Sequence, residues 1–180
     1  MNMKILVAAH KPCRLPADDC YLPVQAGAAL HPPLEGVQGD DTGENISRKN
    51  PHYCELTVLY WAWKNLDADY IGLAHYRRYF AAGRAGEKWE RVAHGPQMEK
   101  ALAKTGLVLP KKRRYFIETS YSQYAHAHHA RDLDETRQIL AESWLEYLPA
   151  FERVMKRTSG HRFNMLLMKW DKLDAYCTWL

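Results

Sequence analysis

The most constraining feature of the sequence is a short apolar run that changes abruptly into charged and aromatic residues. Tyr70 to Ala74 form a run too short for a helix and well suited to a buried strand. His75, Tyr76, Arg77 and Arg78 follow directly. Open α/β sheets bind ligands beyond the carboxyl ends of their strands. The pattern predicts a central strand that ends in an anion-binding site; the alternative is an edge strand whose arginines are merely solvated.

Four further stretches are typical of strands. Ile5 to Ala9 and Leu107 to Leu109 are continuous apolar runs, as in parallel strands covered on both faces. Tyr21 to Gln25 fits a short strand within a long segment rich in proline and glycine, and Phe163 to Met168 fits the last strand of the chain.

Helices are predicted between these strands. Asn50 fits a helix cap and Pro51 the first helical position, with the helix ending at Asn65. Further helices are predicted from Pro96 to Gly106, about Asp132 to Ser143, Pro149 to Arg157, and from a cap at Asp171 to the end. This alternation predicts an α/β fold with a mainly parallel sheet and helices on both faces, in one domain over residues 1–180.

The net charge and the cysteine content indicate which kinds of binding partner and which cellular compartment suit the protein. The net charge of +4 and the pI near 8.8 suit an anionic small ligand or peripheral contact with the inner face of a membrane, and are too weak to indicate nucleic acid. The four cysteines contain no CxxC pair, which favours a reduced compartment. No signal peptide or membrane-spanning run is evident. A cytoplasmic location is predicted.

A basic block, Lys111 to Arg114, follows the predicted strand at Leu107 to Leu109. This repeats the arrangement at His75, so two strands are predicted to deliver positive charge to one edge of the sheet. We expect these cations to bind a diphosphate together. The alternative for the block is a solvated loop.

Acidic and imidazole side chains offer candidates for catalysis and metal binding. Asp40, Asp41 and Asn45 precede the long predicted helix, where a catalytic base or ordinary turn and cap residues are both consistent with the sequence. A second group has the residue types of a divalent metal site: His126, His128, His129, Asp132 and Asp134. The favoured alternative is that Asp132 caps a helix and the histidines lie on its lead-in loop.

Several of these segments resemble a known family. The run from Asn45 to Thr57, NISRKNPHYCELT, and the run from Gly72 to Phe80, GLAHYRRYF, carry its most specific motifs. The chain resembles bacterial capsular and exopolysaccharide biosynthesis proteins that are grouped as a domain of unknown function and regarded as glycosyltransferase-like. Family members generally continue beyond the point where this chain ends, so a chain shortened at its C-terminus is expected.

The resemblance implies a GT-A-like fold and a hexosyltransferase-like enzyme. It implies a nucleotide-sugar donor and a saccharide or lipid-linked saccharide acceptor. GT-A enzymes bind manganese through an Asp-x-Asp motif after the corresponding strand, whereas this chain has His75, Tyr76 and Arg77 there. A divalent metal, Mn²⁺ or Mg²⁺, is therefore left open, and Arg77 or Arg78 could neutralise the leaving group instead.

The predicted site divides into two sets. The residues predicted to act at the acceptor hydroxyl are Asp40, Asp41 and His75. The residues predicted to bind the donor are His10, Lys11, Asn45, Lys49, Tyr76, Arg77, Arg78, Lys111, Lys112 and Asn164, the last because the resemblance places it beside the donor sugar. Two alternatives stay open: a non-catalytic nucleotide- or sugar-binding module that needs a partner or a C-terminal region, and a sugar phosphotransferase, for which no clear nucleophile is present.

Overall fold

A central sheet organises the structure, a computed structural model that describes all 180 residues. The strands are β1 (Met3–Ala9), β2 (Tyr21–Gln25), β3 (Gln38–Gly39), β4 (Tyr70–His75), β5 (Leu107–Val108), β6 (Arg113–Arg114), β7 (Ser159–Gly160) and β8 (Leu166–Lys169). Six of them form one sheet in the order β3-β2-β1-β4-β8-β5, and β6 pairs with β7 in a separate ribbon.

Most of the main sheet is parallel, as predicted. β1 pairs in parallel with β2 on one side and with β4 on the other, with Met3 opposite Tyr70 and Ala8 opposite His75. β8 is antiparallel to both of its neighbours, β4 and β5. Because the chain crosses from one side of β1 to the other, the strand order reverses between β1 and β4, which is where doubly wound sheets open a ligand crevice.

Seven α-helices accompany the strands. They are α1 (Asn50–Tyr53), α2 (Leu56–Asn65), α3 (Gly95–Thr105), α4 (Ser120–Ala127), α5 (Ala130–Ser143), α6 (Leu148–Met155) and α7 (Trp170–Trp179), together with 3₁₀ turns at Ala28–Leu30, Ser47–Lys49 and Leu145–Tyr147. None of the helices combines the length and the apolar character needed to cross a bilayer.

The core lies on both faces of the main sheet. Ile5 and Val7 of β1 pack in a cluster with Met98 of α3, whereas Leu6 packs on the opposite face with Leu59 of α2. This alternation follows from the period of two along a strand. Each fully buried aliphatic side chain of this kind contributes about 1.5–3 kcal/mol through removal from water, so the helices are held on both faces as predicted.

The chain forms two compact units. The first comprises Met1–Pro110 and Phe163–Leu180 and contains the main sheet with α1, α2, α3 and α7. The second is Lys111–Arg162, with α4, α5, α6 and the β6-β7 ribbon. In the second unit no side chain is fully buried.

The long predicted helix is interrupted. Asn50 is the first residue of α1 rather than its cap, and Cys54 has a φ of 49° and separates α1 from α2. The Asn50 side-chain amide donates a 2.8 Å hydrogen bond to the Cys54 carbonyl. Asn50 therefore stabilises the break between α1 and α2. The apolar periodicity of the sequence does not predict this break.

Three other predicted boundaries differ. The last strand begins at Leu166 rather than Phe163, because Phe163 and Asn164 have φ values of 74° and 51° and form a turn. His129 precedes α5, so Asp132 lies in its first turn rather than at its cap. Asp171 likewise lies in the first turn of α7.

Candidate active site

A tight turn at the end of β4 presents the charged cluster. The His75 backbone N–H donates to the Arg78 carbonyl at 3.1 Å, and the Arg78 N–H donates back to the His75 carbonyl at 2.7 Å. The Tyr76 N–H donates to the Ala8 carbonyl at 3.1 Å, which continues the pairing with β1. The turn is thus fixed to the sheet, and Arg77 is exposed at its tip.

The Tyr76 ring is the centre of this cluster and is only 8% exposed. Its hydroxyl lies 3.2 Å from Nε2 of His10, the first residue after β1. The Lys11 ammonium lies 5.6 Å and the Arg77 guanidinium 5.0 Å from the ring centroid. An aromatic face attracts cations at these distances. Tyr76 therefore gathers positively charged groups from the ends of two neighbouring strands.

The arginines of the turn are held by aromatic rings rather than by carboxylates. The Arg78 guanidinium lies 4.0 Å from the centroid of the Phe163 ring. Neither Arg77 nor Arg78 takes part in a salt bridge. Their positive charge is not neutralised within the protein, and a guanidinium in this state suits bidentate binding of phosphate oxygens.

A cleft of about 740 Å³ opens beside this turn, at the carboxyl ends of β1, β2 and β4. The polar residues that line it include His10, Gln25, His31, Asn50, Glu55 and His75. One wall is ordered by the buried Gln25 side chain, which donates to the Pro32 carbonyl at 2.8 Å and accepts from the Leu34 N–H at 2.7 Å. The cleft is large enough for a nucleotide sugar.

Glu55 is the carboxylate of this cleft, and the sequence reasoning missed it. It directly follows the break at Cys54 and precedes α2. The Asn164 amide donates to its carboxylate at 3.2 Å. This contact places Asn164, a predicted donor-binding residue, beside the cleft. The only available signal was the position of Glu55 within the family-like run from Asn45 to Thr57.

The environment of His75 favours the uncharged form of its imidazole. Burial lowers its pKa from the ordinary 6.5, opposed by the nearby Glu55 carboxylate and reinforced by the positive charge of Arg78 and Arg77. Its Nδ1 atom is buried and has no hydrogen-bond partner in the protein. An unpartnered buried nitrogen is costly, and the residue that carries it lines the cleft.

Asp40 has the environment of a turn residue, one of the two alternatives that the sequence left open. The residue is fully buried, and its carboxylate accepts hydrogen bonds from two backbone N–H groups and two hydroxyls, belonging to Gly27, Ala28, Ser47 and Thr57. The carboxylate thus ties the segment after β2 to the segment before α1 and to α2. We assign Asp40 to ordering this loop and leave it out of the proposed site.

The structure places three other predicted residues in a second cleft. Asp41, Asn45 and Lys49 line a space of about 550 Å³ that shares no residue with the first cleft. The Asn45 amide donates to the Asp41 and Gly43 carbonyls, both at 3.0 Å, and its oxygen accepts from the Ser47 N–H at 3.1 Å. Asn45 therefore shapes its own loop, and the donor-binding roles of Asn45 and Lys49 stay predictions.

The basic block belongs to the second unit. β5 runs in the same direction as β4, since both are antiparallel to β8, and the first unit ends at Pro110 just beyond it. Lys111 and Lys112 are exposed. The predicted role of these lysines at the diphosphate, together with Arg77, stays a prediction.

The histidine cluster agrees in part with the predicted lead-in loop, because His128 and His129 form the short connection between α4 and α5. His126 lies within α4 and contacts the Glu118 carboxylate. The Asp132 and Asp134 carboxylates accept hydrogen bonds from Tyr124 and Tyr121, at 3.1 and 3.0 Å. Across the chain, no group of three or more His, Cys, Asp or Glu side chains is arranged to hold a metal ion.

The residues at the end of β4 do not fit the divalent metal of GT-A enzymes. Such ions prefer carboxylate and carbonyl oxygens, and this turn supplies an imidazole, a phenol and guanidinium groups instead. Glu55 is the single carboxylate that lines the cleft.

The chain is similar to known proteins in sequence and in structure. Residues 4–180 match the family model DUF4422, described as a domain of unknown function. No curated protein matches the chain. Among solved structures, the apo structure of WbbM, a bifunctional glycosyltransferase, is similar with a TM-score of 0.86 and 30% sequence identity. The match covers 99% of this chain and 36% of that one, so the chain spans well under half the length of WbbM.

Proposed function

The chain belongs to the DUF4422 family of domains of unknown function, and we propose that it is a glycosyltransferase domain. The likeness to WbbM supports this class of reaction. The observation that carries the proposal is the convergence of His10, Lys11 and the turn from His75 to Arg78 beside one cleft, where the strand order of the sheet reverses. This is the place where an α/β sheet binds a nucleotide.

The donor in this proposal is a nucleotide diphosphate sugar. Lys11, Arg77 and Arg78 bind the diphosphate, since their charges face no protein carboxylate in a salt bridge. His75 lines the cleft beside these cations, and its predicted role at the acceptor hydroxyl is kept in this proposal. Negative charge grows on the diphosphate as the sugar leaves, so cations fixed in advance stabilise the transition state more than the bound substrate.

The chemical step transfers the sugar to an acceptor hydroxyl. The bond between the anomeric carbon and the diphosphate oxygen breaks, and its electron pair leaves with the nucleoside diphosphate. The acceptor oxygen forms the new bond to the anomeric carbon and loses its proton to the Glu55 carboxylate. Glu55 replaces Asp40 in this role because Glu55 lines the cleft, whereas Asp40 is buried and saturated with hydrogen bonds.

The acceptor we propose is a growing surface polysaccharide of a bacterium, such as a capsule, exopolysaccharide or lipopolysaccharide, or its lipid-linked precursor. The transferred sugar is a hexose, and the reaction takes place on the cytoplasmic side. The motifs in the runs Asn45–Thr57 and Gly72–Phe80, with their resemblance to capsular and exopolysaccharide proteins, support this acceptor class.

The test is release of free nucleoside diphosphate from a panel of nucleotide sugars with saccharide acceptors, with and without Mn²⁺. We expect turnover with at least one donor, and a fall of about 100-fold or more in Arg77→Ala, typical of losing a group that stabilises the departing charge. The melting temperature of Arg77→Ala should stay close to that of the unchanged protein, because Arg77 is exposed.

Arg84→Ala is the matched control, since Arg84 is also an exposed arginine in a loop of the same unit. It should keep full turnover. Full turnover in Arg77→Ala would refute the proposed role of Arg77. Ligand-induced thermal stabilisation without turnover by any donor would favour a non-catalytic nucleotide- or sugar-binding module.

A further inference from the structure

Two large apolar side chains of the second unit are almost fully exposed. Phe116 is 87% and Ile117 94% accessible, and we call this pair the apolar tip. No other large hydrophobic residue of the chain exceeds 64% exposure, the value for Leu145. Adjacent exposed apolar side chains cost free energy in water, so such a pair indicates a surface that contacts another phase or partner.

The apolar tip directly follows the four cations of the basic block, Lys111 to Arg114, all of them exposed. None of the four takes part in a salt bridge. The strand that pairs with the block follows two more cations, Lys156 and Arg157. Six cations without a salt bridge therefore lie near the apolar tip in the sequence or across the ribbon, while Glu118, directly after the apolar tip, contacts His126.

The apolar tip is held on a defined scaffold rather than a loose segment. Arg113 pairs with Gly160 and Arg114 with Ser159 in the β6-β7 ribbon. Beyond the ribbon, the Tyr115 N–H donates to the Thr158 carbonyl at 2.8 Å. After the apolar tip, the Ser120 N–H donates to the Arg157 carbonyl at 2.7 Å. Hydrogen bonds on both sides thus hold Phe116 and Ile117 in a short exposed loop.

We propose that the apolar tip inserts into the interface of a bilayer rich in anionic lipids, with Arg113 and Arg114 of the basic block contacting the lipid headgroups. Bulky apolar side chains next to several lysines and arginines are the combination that binds such surfaces, because hydrophobic insertion and electrostatic attraction act together. A protein partner would not require this excess of one charge beside the apolar pair. The inference concerns attachment and is independent of the proposed glycosyl transfer.

The test is co-sedimentation of the full chain with vesicles of phosphatidylcholine containing phosphatidylglycerol, compared with pure phosphatidylcholine vesicles. We expect binding to the anionic vesicles at about 0.1 M NaCl and much weaker binding at about 0.5 M NaCl, where surface charges are screened. The double variant Phe116→Ser with Ile117→Ser should lower partitioning about tenfold or more. Arg113→Gln with Arg114→Gln should lower it by a similar factor.

Ile139→Ser is the matched control, since Ile139 is another exposed apolar residue of the second unit, at 58%. It should bind like the unchanged protein. Equal binding to both kinds of vesicle, full binding by the Phe116/Ile117 variant, or loss of binding in Ile139→Ser would each overturn the inference. Self-association that depends on the apolar tip, without vesicle binding, would also overturn it by assigning the tip to a protein interface.

Turnover with a soluble acceptor separates this inference from the proposed function. The Phe116→Ser/Ile117→Ser variant should release nucleoside diphosphate at the rate of the unchanged protein, because the apolar tip is not part of the proposed catalytic cleft. Vesicle binding by a protein without turnover would support attachment while refuting the transferase proposal.

Discussion

The Tyr76 hydroxyl lies 3.2 Å from the Nε2 atom of His10, and this contact joins the residues that follow two adjacent parallel strands. The two rings meet edge to face, with centroids 4.8 Å apart. His10 is an exposed residue. Its contact with Tyr76 therefore fixes its position at the mouth of the proposed donor cleft.

Tyr76→Phe tests this contact. The substitution removes the hydroxyl and keeps the ring beneath Lys11 and Arg77, so we expect the donor KM to rise about three- to tenfold with the loss of one hydrogen bond. Steady-state kinetics with varied donor would measure the change. Tyr60→Phe is the control, because the Tyr60 hydroxyl also makes a 3.2 Å contact, to Glu44 on the surface. An unchanged KM in Tyr76→Phe would contradict a role for the pair.

Glu55→Gln tests the proposed proton acceptor. An amide keeps the size and the bond from Asn164 but cannot take a proton, so we expect kcat to fall about 100-fold or more while donor binding is retained. Turnover and donor titration by calorimetry would separate the two effects. Glu99→Gln, an exposed glutamate on α3, should behave as the unchanged protein. An unchanged kcat in Glu55→Gln would show that another group accepts the proton.

Asp40→Ala tests the assignment of Asp40 to loop order. Its removal leaves two backbone N–H groups and two hydroxyls without their acceptor, so we expect the free energy of unfolding to fall by about 3 kcal/mol or more. Urea denaturation would measure this. Asp41→Ala, at an exposed neighbour, should change it by less than about 0.5 kcal/mol. A stable Asp40→Ala protein that lacks turnover would contradict the assignment to loop order and would support a catalytic role for Asp40.

The lowered pKa of His75 predicts a pH dependence of stability. Burial disfavours the imidazolium in the folded state, so the unfolded chain takes up this proton first as pH falls. The stability contributed by neutral His75 is therefore complete above the ordinary pKa of 6.5. This contribution to stability decreases as the pH falls below that value, and it is lost once the pH has also fallen below the lowered pKa of His75 in the folded state.

Urea denaturation at about pH 7.5 and about pH 5 would measure this effect. His75→Gln should lose less stability on acidification than the unchanged protein does. His52→Gln is the control, because His52 is exposed on α1 and should leave the loss unchanged. Identical losses in the unchanged protein and His75→Gln would contradict the pKa direction.

Much of the fold could be predicted because its signals are local. The apolar runs at β1, β2 and β4, and the stop at Gly106 with its φ of 65°, each depend on neighbouring residues in the sequence. The cluster from His75 to Arg78 was likewise placed correctly at the end of its strand. Helix boundaries were harder, because the break at Cys54 depends on a φ of 49° and on side-chain bonds from Asn50.

The sequence by itself determined the mainly parallel sheet and the cationic end of β4, since strand periodicity and residue type are properties of short segments. Only the tertiary structure decided which carboxylate meets that cluster. Asp40 is buried, and its carboxylate accepts four hydrogen bonds. Glu55 lines the cleft and accepts a hydrogen bond from Asn164, which lies 109 residues further along the chain. Contacts between such distant residues are set by packing, which no local pattern encodes.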